Sequence, residues 1–328
     1  MQSNLRLDWK IRLLNWLLRL NKPLDKLSLE ELRQLSETPI PFVVERLMGG
    51  KRIPVLSVIN QMVEGRHGAV PIRLYYPSSK QNLPLILFFH GGGWVYGNLQ
   101  THDLMCRRIA HSTNAIVIAV RYRLAPWFKY PIALEDCYDI LTWAVKNATN
   151  LGANKQQVIV MGDSAGGNLA TSVCLMARDQ GQRLITRQIL LYPVTDGTLS
   201  QPSIEIYADA PVLTKDLMQC FVKYYARTEA DRFEPYFSPM LADNLSHLPP
   251  ALIITAEYDP LHDEGEKYAQ RLQSAGNQVR FIDYSGMVHG FLSFPPFCPE
   301  ALPAFAEIAA YVGALSNYNY DRSNDDNY

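Results

Sequence analysis

From Leu83 to Tyr284 the chain alternates between two kinds of hydrophobic pattern. "LPLILFFH", "AIVIAVRY", "QVIVMG", "QILLYP" and "ALIITAEYD" are continuous apolar runs, as expected of strands covered on both faces. "QVRFIDY" is the last of the series. Between them "DLMCRRIAHS", "ALEDCYDILTWAVKNA", "NLATSVCLMARDQ" and "DEGEKYAQRLQSAG" read as helices. Strands alternating with helices predict an α/β fold built on a mostly parallel sheet. Upstream, "IPVLSVINQMV" and "VPIRLYYP" read as a hairpin across "EGRHG". The hairpin adds an antiparallel strand and brings the expected count to about eight.

Two stretches depart from the alternation. Residues 1–48 read as helical: "SLEELRQL" opens on Ser28 with Glu31 three residues later, a capping-box pattern, and "GGKRIP" ends the run. Within "LDWKIRLLNWLLRLNK", Arg12, Asn15 and Arg19 fall on one narrow helical face, and Ile11, Leu13, Leu14, Trp16, Leu17, Leu18 and Leu20 occupy the rest. Such a helix is buried on most of its surface, as a docked or lid-forming element, or it lies on a membrane. The docked form is the expectation, because most amphipathic helices pack on a core. No uninterrupted apolar span reaches membrane length, and no small-residue cleavage site follows.

Residues 197–245 are too long for a plain connection and read as a helical insertion between two strands. With the N-terminal helices they would form a cap over a catalytic domain of residues 49–196 and 246–315. The final "SNYNYDRSNDDNY", residues 316–328, is polar and of low complexity and is expected to be disordered.

Composition narrows the function. Nearly half of the 328 residues are hydrophobic, enough for a large core, and the formal net charge is -1. There is no global basic field for nucleic acid. Cys106, Cys137, Cys174, Cys220 and Cys298 are odd in number and form no CxxC pair, which argues against a disulfide framework or a zinc site. Free thiols in a reducing, cytoplasmic setting are the expectation.

The chemistry lies in "VIVMGDSAGGNLA", where Gly162-Asp163-Ser164-Ala165-Gly166 fits G-x-S-x-G. A serine that attacks carbon must project from its turn within reach of both a base and a substrate. A strand bending sharply into a helix offers such a point, and small flanking residues let the two segments approach. The helix N-terminus adds free N–H groups where negative charge develops. Neither a phosphate-binding P-loop nor a dinucleotide fingerprint fits the stretch. His90-Gly91-Gly92-Gly93-Trp94 follows the strand "LILFFH". Consecutive glycines let backbone N–H groups point into a cavity, as an oxyanion hole requires. His90, inside this loop and upstream of the serine, reads as a structural histidine that orients the loop.

A nucleophilic serine needs a histidine base held by a carboxylate. In a fold of this kind both follow the serine, acid first. Of the seven histidines this leaves His247, His262 and His289. His247 precedes a strand, at its wrong end. His262 lies among the acid candidates. His289 follows the last strand in "DYSGMVHGF", on a Gly-bounded loop at a strand's C-terminal end where ligands meet such sheets, and is the expected base. For the acid, "ALIITAEYDPLHDEG" offers Glu257, Asp259, Asp263 and Glu264. Asp259 comes just past the apolar run and ranks first. Asp263 suits the start of the next helix, and Glu257 stays open as a residue facing the same cleft.

"HGGGW", "YRLAP", "GDSAGG", "EYDPLHDEG" and "GMVHGF", in this order and at these separations, resemble the hormone-sensitive lipase family of α/β-hydrolase esterases, in its GDSAG branch. The resemblance runs from about residue 50 to 312. It implies an α/β-hydrolase fold with a helical cap and a catalytic triad of Ser164, Asp259 and His289. It also implies an oxyanion hole from the N–H groups of Gly92, Gly93 and Ala165, with Gly91 and His90 shaping the loop. The implied activity is hydrolysis of carboxylic esters with short- to medium-chain acyl groups, on a small-molecule substrate, through an acyl-enzyme and without metal or cofactor. Trp127 stands where the family often carries a glutamate after "YRLAP", so a local contact is expected to be lost or replaced there. A non-catalytic small-molecule receptor on the same fold is the main rival, disfavoured by the presence of His289. An amidase or acyltransferase with the same triad stays open. So do a homodimer and a peripheral membrane contact through the N-terminal helix. Trp94, Tyr207 and Phe221 are candidates to line the substrate pocket or to belong to the core.

Overall fold

The computed structural model describes residues 6–38 and 40–314. Its eight strands are β1 (Ser57–Gly65), β2 (Gly68–Tyr76), β3 (Leu83–Phe89), β4 (Ile116–Val120), β5 (Ala153–Asp163), β6 (Arg187–Leu191), β7 (Ala251–Tyr258) and β8 (Val279–Val288). They form one sheet in the order β1-β2-β4-β3-β5-β6-β7-β8. Only the β1/β2 and β2/β4 pairs are antiparallel, so the opening hairpin sits at one edge of an otherwise parallel array, as its sequence predicts. The helices are α1 (Trp9–Leu18), α2 (Leu29–Glu37), α3 (Phe42–Gly49), α4 (Asp103–Thr113), α5 (Ile132–Asn147), α6 (Ala165–Asp179), α7 (Pro202–Ile206), α8 (Lys215–Tyr225), α9 (His262–Ser274) and α10 (Ala301–Gly313).

The continuous apolar runs are explained by helices on both faces. Successive strand residues point to opposite sides. Leu85, Leu87 and Phe89 join Val158 and Val160 on the face covered by α5, α6 and α9. Ile86 and Phe88 join Ile159 and Met161 on the face covered by α1, α4 and α10. α10 has no counterpart in the sequence reading. "ALPAFAEIAAYVG" is apolar nearly all round and carries no polar stripe to mark a period. Its Pro303 is tolerated because it lies in the first turn, where N–H groups have no intrahelical partner. β8 also runs four residues beyond "QVRFIDY", to Val288, with a register shift against β7 between Ala256 and Tyr258.

Residues 197–245 contain α7, α8 and two 3-10 turns. Side chains of the sheet-packing helix α6 hold this segment: Asn168 donates to the carbonyls of Val194 and Phe237 at 3.0 and 2.9 Å, and Ser172 to that of Tyr236 at 2.7 Å. The Tyr130 N–H donates to the Tyr225 carbonyl at 2.9 Å. The N-terminal segment runs beside it. A turn at Leu24–Lys26 packs on α8, and Asn98, just past the glycine loop, donates to the Ser36 carbonyl at 2.7 Å. The Ser28–Glu31 capping box is present with both of its hydrogen bonds.

The expectation of a mostly buried first helix is corrected. In α1 only Ile11 and Leu14 are fully buried, while Trp9 and Trp16 are 66% and 58% exposed and Leu13 is exposed as well. The helix rests on the sheet-side cluster along the one narrow stripe of Ile11 and Leu14. The expected disordered tail, residues 316–328, lies outside the described residues. All five cysteines are free, with Cys220 half-buried and the others buried.

Candidate active site

Ser164 stands between β5 and α6 with φ 55° and ψ -120°, a conformation that non-glycine residues rarely adopt and that stores strain at functional turns. Its own N–H is tied to the Leu191 carbonyl of β6 at 2.8 Å. The flanking glycines are required by space. A Cβ on Gly166 would lie 1.9 Å from the Phe89 carbonyl oxygen, and one on Gly162 would lie 2.2 Å from the Gly166 oxygen. The turn therefore closes only with hydrogen atoms at both positions.

The ends of β7 and β8 bring two further groups to the serine. His289 immediately follows β8, and its Nε2 is 2.9 Å from Ser164 Oγ. Its Nδ1 is 2.7 Å from Oδ2 of Asp259, the residue after β7. The other Asp259 oxygen accepts the Leu261 N–H at 2.8 Å, which fixes the carboxylate. All three residues are buried. Tyr192, after β6, packs its ring edge against the His289 imidazole at 5.0 Å between centroids. Nε2 is placed to take the serine proton, and the carboxylate to orient the ring and balance the imidazolium that forms.

The glycine loop lies beside this relay. Gly92 and Gly93 have φ of +108° and +61°, and no described residue accepts a hydrogen bond from either N–H. Ala165 is the first residue of α6, so its N–H has no carbonyl one turn earlier in the helix. The Gly91 N–H is not free in this way: it donates to Asp163 Oδ1 at 2.9 Å. His90 stacks on Tyr122 with centroids 4.3 Å apart, and its Nδ1 is 2.9 Å from the Gly91 carbonyl. The Tyr122 hydroxyl donates to the His90 carbonyl at 2.6 Å. Burial, reinforced by the nearby His102, pushes the His90 pKa down to about 3, so the ring is neutral and serves as packing for the loop.

The remaining candidates lie elsewhere. Glu257 is engaged at the end of β8, where it accepts the Gly286 N–H at 2.7 Å and the Ser285 hydroxyl at 2.8 Å. It is Asp259, and not Glu257, that is bonded to His289. Asp263 sits in the first turn of α9 and accepts the Ser203 N–H at 3.0 Å. Glu264 is fully buried and accepts the N–H groups of Thr195 and Asp196 at 2.6 and 3.2 Å. Burial holds its pKa well above the ordinary carboxyl value. His262 pairs with Asp263 and Asp283, and His247 precedes β7. Trp127 is exposed to solvent, while the neighbouring Arg123 is bound by Asp136.

Of the aromatic candidates, Trp94 is core, stacked on Tyr225 at 4.5 Å. Tyr207 is half-buried and packs edge-on to Tyr258. Phe221, from α8, lies directly on the glycine loop, such that a Cβ on Gly93 would come within 2.1 Å of its ring. Sequence reasoning assigned no role to Asp163 or Tyr192. The position of Asp163 inside the serine motif was the only available signal. Tyr192 follows an apolar strand like many core aromatics and gave none.

Comparison with known proteins gives the family. A family profile described as the alpha/beta hydrolase fold matches residues 86–293. The chain is 41% identical over 252 residues to the carboxylesterase NlhH of Mycobacterium tuberculosis, covering 75% of this chain and 79% of that protein. It is 36% identical over 284 residues to an ethyl acetate hydrolase of Pseudomonas putida, covering 85% and 88%. Among solved structures, a hyperthermophilic esterase from the archaeon Pyrobaculum calidifontis superposes with a TM-score of 0.84 at 39% identity, covering 93% of this chain and 98% of that one.

Proposed function

The chain belongs to the α/β-hydrolase fold family, in its hormone-sensitive-lipase-like group of esterases, and is a carboxylic ester hydrolase; from that premise we propose that Ser164 is its nucleophile, His289 its general base, Asp259 the carboxylate that orients the base, and the N–H groups of Gly92, Gly93 and Ala165 its oxyanion donors. The observation that carries this reading is the unbroken relay from Ser164 Oγ through His289 to Asp259, at 2.9 and 2.7 Å.

In the acylation step His289 Nε2 takes the Ser164 proton as Oγ attacks the ester carbonyl. The negative charge that develops on the carbonyl oxygen meets the three N–H groups. His289 then gives the proton to the departing alcohol oxygen, and the C–O bond to that alcohol breaks, leaving Ser164 acylated. In deacylation His289 takes a proton from water, hydroxide adds to the acyl carbon, and the proton returns to Ser164 as the acid leaves.

Short- to medium-chain acyl groups are the proposed substrates. The reading is supported by the Phe221 ring against Gly93 and by the likeness to a protein named ethyl acetate hydrolase. Residues 1–48 and 197–245 form the proposed cap, over a catalytic domain of residues 49–196 and 246–315. Free cysteines support a reducing, cytoplasmic setting. A peripheral membrane contact, or a homodimer, is a second proposal. It draws support from the exposed Trp9, Trp16 and Leu20 on and just after α1; no helix among the described residues is long and apolar enough to cross a membrane.

The test is hydrolysis of p-nitrophenyl esters with two to sixteen acyl carbons by the parent and by Ser164→Ala. The parent is expected to turn over the short and medium esters best, and the variant to be inactive on all of them. Activity retained in the variant would refute the assignment of Ser164.

A further inference from the structure

Asp163 is a buried carboxylate that the proposed reaction does not use. It precedes the serine, ends β5, and points across to the glycine loop instead of into the cleft. Its Oδ1 accepts the Gly91 N–H at 2.9 Å. Its Oδ2 lies 3.4 Å from His102 Nε2. The two segments are pressed together at this point, since a Cβ on Gly91 would lie 2.5 Å from Oδ2 and 2.9 Å from the Asp163 carbonyl oxygen. Burial pushes the Asp163 pKa up, but His102 and the Gly91 N–H outweigh it, so the group stays below its ordinary value and is charged. His102 is held in turn by Thr101 Oγ1, 2.8 Å from its Nδ1.

We infer that Asp163 is a positioning residue: its carboxylate joins the nucleophile turn to the glycine loop and sets the register between Ser164 and the N–H groups of Gly92 and Gly93. The physical argument is one of separation. The serine and the loop glycines are about seventy residues apart in sequence, and the loop has no regular secondary structure of its own. An oxyanion hole works only if its donors lie within tenths of an ångström of where the charge appears, and a misplacement of about 1 Å costs about a hundredfold in rate. Parallel pairing of β3 with β5 ends at Phe89 and Gly162. The next tie between the two segments is the Gly91–Asp163 bond, made by the residues that directly flank the donors and the nucleophile. A charged acceptor makes that bond stronger than a neutral one would be, and His102 offsets the cost of burying the charge.

This inference rests on the proposed roles of Ser164, Gly92 and Gly93. Asp163→Ala removes the acceptor. It is expected to lower kcat for p-nitrophenyl acetate by about 10- to 100-fold, with KM changed less than threefold. The inhibition constant of an alkyl trifluoromethyl ketone, whose tetrahedral adduct carries the oxyanion, is expected to rise in parallel. Asp163→Asn keeps an acceptor for the Gly91 N–H and is expected to restore most of both losses, an effect that general destabilisation would not give. If Asp163→Ala does not fold, Asp163→Ser, whose hydroxyl is too short to reach Gly91, takes its place with the same expectation. The inference is overturned if the folded variant stays within twofold of the parent in kcat and ketone affinity, or if Asn performs no better than Ala. Ser164→Ala, assayed alongside, separates the two levels: if it is inactive while Asp163→Ala is unaffected, only the role of Asp163 falls.

Discussion

Gly93 has room for a hydrogen atom and nothing larger. Its φ of +61° is tolerable for a few other residues, but the Phe221 ring would stand 2.1 Å from a Cβ there. Phe221 of the proposed cap and the proposed oxyanion donor are therefore fitted to each other. Gly93→Ala forces either the loop or the ring to move, and displacement of the loop takes an N–H donor out of place. Turnover of p-nitrophenyl acetate is expected to fall by about a hundredfold, the usual cost of losing one such donor. Phe221→Ala in the same chain opens the space and is expected to recover part of the loss. No recovery in the double variant would show that the backbone conformation, and not the ring, is what excludes a side chain at this position.

At the scale of elements, the proposed acid and base arrive on separate strands that must end level with one another. His262, at the start of α9, braces this edge of the sheet: its Nδ1 is 2.9 Å from Asp263 and its Nε2 3.5 Å from Asp283 on β8. Hydrogen bonding to Asp283, opposed by burial and reinforced by Asp263, raises its pKa to about 9. A histidine with a raised pKa stabilises the fold fully below its unfolded value near 6.5, and the contribution disappears as pH rises through about 9. His262→Gln is expected to cost on the order of 1–2 kcal/mol between pH 6 and 7, the ion pairs being partly open to solvent. Melting temperatures of parent and variant should converge by about pH 10. A gap independent of pH would mean that the ring contributes by packing alone.

For the whole molecule, charge is distributed unevenly. The chain carries a formal net charge of -1, yet residues 6–26 hold six cationic residues against two acidic ones. Lys22 and Lys26 are paired with Glu31 and Asp25. Lys10, Arg12 and Arg19 share the exposed side of the segment with Trp9, Trp16 and Leu20. Indole rings flanked by cations suit the headgroup region of an anionic bilayer. The proposed membrane contact predicts that the protein sediments with vesicles containing phosphatidylglycerol more than with pure phosphatidylcholine. Trp9→Ala/Trp16→Ala should weaken this several-fold while leaving turnover of soluble p-nitrophenyl acetate unchanged. Equal sedimentation with both vesicle types and both proteins would refute the contact. A parent dimer that the double substitution splits on a sizing column would assign the face to a second copy instead.

The alternation of apolar runs with helical stretches was enough to determine the layered sheet, because a strand covered on both faces has no polar side to display. Motif spacing singled out Ser164, His289 and Asp259 as the proposed triad for a related reason: the chemistry demands particular residue types, and only certain strand ends can present them. α10 was invisible because it lacks a polar stripe, and α1 was misread because its apolar residues outnumber its neighbours. A sequence records how hydrophobic a helix is but not how much of its circumference other elements cover. It ranked Asp259 ahead of Glu257 by its place past the apolar run, but what each carboxylate touches lay beyond it. The two are two residues apart, and only the register of β7 against β8 turns one toward His289 and the other toward Gly286. The Gly91–Asp163 bond and the Phe221 ring over Gly93 are likewise decisions of the tertiary structure. Each joins residues far apart in the chain, and no local propensity encodes a distance between them.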